Sequence, residues 1–126
     1  MKPLICLSVL IAATACSPTP KSPNAQRAEQ IEARESAKRA YVWFHRQMVK
    51  SYTISTNEVS PVLLWSNRWM DADLRLAQVK RQKLNAIRAH EKRIDDVDRR
   101  ISHNHPSVKD LETQRKELTT LRDAIR

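Results

Sequence analysis

Glycine is absent from the 126-residue chain. Phosphate-cradling loops, dinucleotide fingerprints and nucleophile elbows need glycine where the backbone turns tightly or meets a ligand, so those classes are excluded. Tight hairpin turns would have only Asn or Asp for positive φ, which argues against a β-sandwich or barrel. Aromatic residues are few, with Trp 3, Tyr 2 and Phe 1, and acids are outnumbered, 14 Asp+Glu against 23 Lys+Arg. The one long apolar run, Leu4 to Ala15, would rise only about 18 Å as a helix, while a membrane span needs about 20 residues.

That run follows Lys2 and ends in Ala13-Thr14-Ala15-Cys16, with Ser17-Pro18-Thr19-Pro20-Lys21-Ser22-Pro23 after it. A basic start, a short apolar stretch and small residues before a cut make residues 1–15 an expected export signal peptide. Small residues immediately before a cysteine resemble the lipobox of bacterial lipoproteins. The resemblance covers only about the first 16 residues. It implies cleavage by signal peptidase II after Ala15, diacylglycerol on the Cys16 sulfur, and an acyl chain such as palmitate on the new amino terminus. Ala13 stands where that family most often has Leu, and Ala13-x-Ala15 also fits an ordinary signal peptidase. In the family an Asp after the cysteine favours the inner membrane. Ser17 in that place implies an outer-membrane anchor facing the periplasm. Cys6 falls within the signal, so the mature chain keeps one cysteine and no internal disulfide is expected.

Residues 16–23 read as the lipidated cysteine and a proline-rich tether, and 24–126 as a helical domain. Ser22-Pro23 has the form of an N-cap followed by proline at the first helical position. Apolar residues recurring at three- and four-residue steps from Ala28 to Tyr52 predict a helix over about 23–51. Ser55 and Glu58 could form a capping box, but Pro61 would then lie inside the helix, so Ser60 with Pro61 is the expected start of a second helix. That helix runs without a breaker to about 102. Ile87, Ile94 and Ile101 lie seven apart on it, with Lys80, Lys83, His90 and Val97 completing a weakened heptad seam. After His103-Asn104-His105-Pro106, Ser107 and Asp110 suggest a capping box for a third helix over about 108–125, striped by Leu111, Leu118, Leu121 and Ile125. The expected fold is all-α, an elongated helical hairpin or partial three-helix coiled-coil arrangement with the long helix as its spine.

The positive charge is concentrated in Arg75, Lys80, Arg81, Lys83, Arg88, Lys92 and Arg93, opposed between 75 and 93 only by Glu91. This cluster is the candidate for an anionic partner, either an anionic glycolipid such as lipopolysaccharide or peptidoglycan, against the plainer reading of a solvated helix face. Charge alone would also allow nucleic acid, and export argues against it. Trp65 and Trp69 are four apart, and Trp43 lies on the preceding helix. These three form a candidate aromatic interaction patch, against the plainer reading of a core layer. His103 and His105 fall short of a four-ligand metal site, and no metal or cofactor is expected. No spacing or strained turn singles out a nucleophile, so an enzyme is not expected.

The sequence therefore points to a non-catalytic envelope lipoprotein acting through helical protein–protein interaction or self-association. Secretion, conjugation, exclusion and lysis systems all use such components. The alternative is a basic module for lipopolysaccharide or peptidoglycan.

Overall fold

A computed structural model describes residues 20–126. The signal over 1–15, Cys16 and residues 17–19 of the tether lie outside the described residues. Four helices follow in order: α1 (Pro23–Lys50), α2 (Thr56–Leu76), α3 (Lys80–Arg100) and α4 (Val108–Ile125). Each packs against the next, α1 on α2, α2 on α3 and α3 on α4. The result is a compact all-α bundle.

Local chemistry sets the helix ends. The Ser22 side chain accepts from the Ala25 amide at 3.2 Å, and Pro23 opens α1 without wasting a donor. The start of α2 corrects the sequence reading. The helix begins one turn before Ser60, at Thr56, and Glu58 accepts from the Ser55 amide at 3.1 Å and the Ser55 hydroxyl at 3.0 Å. Pro61 is carried inside the helix. Its missing N–H forfeits one backbone bond early in α2, and the extra turn buries Val59 completely.

The expected unbroken helix over 61–102 is also corrected. The chain turns at 77–79, and α3 folds back along α2. Neither Gly nor Pro makes this break. Gln82 reaches back and accepts from the Gln78 amide at 2.7 Å and the Val79 amide at 3.4 Å, satisfying donors at the start of α3. Folding back closes one core from Met48, Val59, Val62, Ile87, Ile94, Val97 and Leu111, all fully buried. A single straight helix could not bring Val62 against Ile87 and Ile94. The seam residues Ile87, His90, Ile94 and Val97 thus line one wall of a four-helix bundle. Lys80 and Lys83, also on that seam, are exposed.

The start of α4 departs from the expected Ser107–Asp110 box. Ser107 is helical and buried, and its hydroxyl makes no hydrogen bond. His105 organises the turn instead. Its Nε2–H donates to the Ile54 carbonyl at 2.8 Å, and its Nδ1 accepts from the Ser107 amide at 3.1 Å. One neutral tautomer satisfies both bonds and ties the 101–107 connection to the 51–55 connection at the same end of the bundle.

Among the described residues no helix is long and apolar enough to cross a membrane, and no sheet is present. The expected description as a lipoprotein bearing palmitate at the outer membrane gains no support from this all-α fold. It is corrected to a helical bundle and is not carried further.

Candidate functional site

The residues singled out in the sequence separate into an interior polar clasp and two surface features. Arg93, read as part of the basic cluster, belongs to the interior. The 3.6-residue period places Ala86, His90, Arg93 and Val97 along one stripe of α3 facing α1 and α2. The Arg93 Nε–H donates to the Ser66 hydroxyl at 2.6 Å, and its Nη2 donates to the Ser66 carbonyl at 3.1 Å. The guanidinium lies 4.1 Å from the Trp69 ring and 5.7 Å from the Tyr41 ring, so the two rings cover it. Trp69 and Tyr41 themselves meet at 5.7 Å. Arg93 is therefore a bracket joining three helices, and it is withdrawn from the anionic-partner surface. Trp69 is likewise withdrawn from the surface patch.

Ser66 and His90 are 0% and 1% exposed and share a 2.6 Å hydrogen bond. Because Arg93 donates to the Ser66 oxygen, the Ser66 O–H donates to His90 Nδ1, and the proton of neutral His90 sits on Nε2. Burial, reinforced by the Arg93 charge and opposed by Gln114, lowers the His90 pKa to about 4. A serine beside a histidine invites comparison with a nucleophile and its base. Here both are sealed from solvent, and the serine oxygen is already engaged by a guanidinium. The pair holds helices together. No local spacing in the sequence announces it, since the partners are 24 residues apart.

Beside the clasp, His45 Nε2 lies 2.7 Å from Asp96 Oδ2, and the Arg100 Nε–H donates to the same oxygen at 3.1 Å. Burial raises the Asp96 pKa, but the hydrogen bonds from His45 and Arg100 outweigh it and hold the carboxyl below its ordinary range. This pair fastens α1 to α3.

The first surface feature is the outer face of α1 and α2. A groove of about 440 Å³ runs between them, floored by Ala33, Ala37 and Ala72 and walled by Trp65 and Arg68. Arg68 lies 4.6 Å over the Trp65 ring. Trp43 is 57% exposed and Leu64 46% exposed. Trp43 is seven residues beyond the groove-lining Ser36, and Leu64 is four before Arg68, so helical periodicity sets both on the groove's side. Phe44 packs edge-on against Trp43 with ring centroids 4.9 Å apart. The three tryptophans are thus divided. Trp43 and Trp65 share this face, and Trp69, partly buried like Trp65, covers Arg93.

The second feature is cationic. Arg75, Lys80, Arg81, Lys83, Arg88 and Lys92 are all exposed. Arg81, Arg88 and Lys92 lie at i, i+7 and i+11 on the solvent side of α3, opposite the buried Ile87 and Ile94. Among the described residues none of the six makes an ion pair with an Asp or Glu side chain. Lys80 instead donates to a main-chain oxygen of Arg126 at 3.1 Å. Among the described residues no group of three or more His, Cys, Asp or Glu side chains could hold a metal ion. His105, half of the HxH pair, is committed to its turn.

Compared with protein-family models, with curated proteins and with solved structures, the chain matches none.

Proposed function

We propose that this chain is a non-catalytic helical binding protein of the cell envelope, holding a partner protein on the outer face of α1 and α2. The observation that carries this reading is the exposure of Trp43 and Leu64 beside the groove walled by Trp65. Tryptophan anchors dominate protein interfaces because one rigid side chain removes a large apolar area from water at little entropic cost. Trp65 and Trp69 are partly buried against the core, whereas Trp43 is left outside. The groove floor is alanine, which would let a partner backbone approach closely. The location in the envelope rests on the export-type residues 1–15. The absence of catalysis is supported by the sealing of Ser66 and His90.

Affinity capture with the full chain tests the reading. A single partner should be retained by the wild type through a high-salt wash and lost with the double variant Trp43→Ala/Leu64→Ala, while the helical signal and melting temperature stay unchanged. Retention of the same partner by that variant would refute the reading.

A second reading is favoured by Arg81, Arg88 and Lys92, which are exposed on α3 and, among the described residues, pair with no Asp or Glu side chain. On that reading an anionic glycolipid or peptidoglycan binds these residues, and binding collapses as salt is raised.

A further inference from the structure

Between α3 and α4 the charges form a ladder, and one rung of it is wrong. At the end nearest the 101–107 connection, Arg115 on α4 donates to Asp95 at 2.9 Å and to Asp98 at 3.0 Å on α3. Two turns further along α4, Arg122 pairs with Glu91. Arg126 continues the same stripe, four residues on, where the pattern calls for a third carboxylate on α3. The residues there are Leu84 and Arg88. Arg88 and Arg126 line one pocket of about 290 Å³ together with Leu84, Glu91 and Arg122.

Glu91, the pocket's one acid, is already taken by Arg122. A main-chain oxygen of Arg126 is engaged by Lys80. Arg88 and Arg126 therefore share a concave site whose one acidic side chain is already engaged by Arg122. Like charges brought together at a helix interface cost free energy unless an anion sits between them.

We infer that the pocket between the last turn of α4 and the first half of α3 binds a phosphate group through the guanidinium forks of Arg88 and Arg126. Phosphate suits the site on two counts. Its oxygens accept bidentate hydrogen bonds from planar guanidiniums, and a dianion cancels both unmatched charges where one carboxylate would cancel only one. The pocket is polar and lies just below the range of about 300–1,000 Å³ usual for drug-sized ligands. It fits a phosphate and the first atoms of its ester. This site is separate from the α1–α2 face and does not depend on it. Free phosphate and the phosphate of a lipid headgroup present the same chemistry.

The test is amide chemical-shift titration of the isotope-labelled full chain, first with inorganic phosphate, then with phosphatidylcholine vesicles with and without phosphatidic acid. Saturable shifts should centre on Leu84, Arg88 and Arg126. Arg88→Gln or Arg126→Gln should weaken binding about tenfold, and Arg46→Gln, an exposed arginine of α1 outside the pocket, should leave it unchanged. Arg88→Glu completes the ladder, so it should abolish phosphate binding while the chain melts no earlier than the wild type. Binding to phosphate alone assigns a soluble ligand, and binding confined to phosphatidic acid vesicles assigns a headgroup. The inference is overturned if neither gives saturable shifts, if Arg46→Gln weakens binding as much as Arg88→Gln, or if acetate binds as tightly as phosphate.

Discussion

Arg93 is held 4.1 Å from the Trp69 ring while its Nε–H donates to Ser66 at 2.6 Å. One side chain of α3 thereby fixes two residues of α2 and, through Tyr41, reaches α1. The clasp decides how the α1–α2 face is presented, because Trp65 and Trp69 lie on the same helix four residues apart.

Replacing Arg93 should therefore loosen the bundle without touching any surface patch. Arg93→Ala is expected to cost about 3 kcal/mol, combining lost charged hydrogen bonds with lost stacking. Arg93→Lys should recover less than half, since an ammonium can neither fork onto Ser66 nor lie flat on the indole. Urea unfolding followed by tryptophan fluorescence measures both.

His90 predicts acid sensitivity in a defined window. Its folded pKa is about 4, below the ordinary value of 6.5, so the unfolded chain binds the proton more readily. The stability from burying neutral His90 is fully present above pH 6.5 and is lost as pH falls from 6.5 toward 4, amounting to about 3 kcal/mol. Asp96, held below the carboxylate range, gives up its contribution only at lower pH. His90→Gln should flatten the slope between pH 6.5 and 4 in a series of thermal melts.

The sequence pattern at Ser107 makes it a helix cap, and the fold does not use it so. Its buried hydroxyl makes no hydrogen bond, and removing such a group spares its desolvation penalty. Ser107→Ala should be neutral or stabilising by about 1 kcal/mol, whereas losing a working cap would cost about that much. At the other connection Glu58→Ala should cost about 1 kcal/mol, because Glu58 serves both the amide and the hydroxyl of Ser55. Denaturant midpoints distinguish the two.

These cases show what the sequence made legible. Ser22-Pro23 announced the start of α1 because the cap is local chemistry, and Ile87, Ile94 and Val97 announced the buried side of α3 because their spacing matches the helical period. The turn at 77–79 was hidden. It is made by a glutamine reaching back and by the gain of a closed core, and neither leaves a breaker residue. Arg93 was read with its charged neighbours, although its place in the stripe Ala86, His90, Arg93 and Val97 already set it on the apolar side. The pairing of Ser66 with His90 and the unmatched Arg88–Arg126 rung depend on which helices meet, and periodicity within one helix cannot supply that. The division of the tryptophans has the same cause: Trp69 meets Arg93 of α3 and Tyr41 of α1, contacts that spacing within α2 does not show.

The most direct measurement places a photo-crosslinking amino acid at position 43 in growing cells, with a second strain carrying it at position 81. The account predicts one discrete protein adduct from position 43, lost when Leu64 is replaced by Ala and absent from position 81. An adduct from position 81 with none from position 43 would contradict it and move the binding surface to α3.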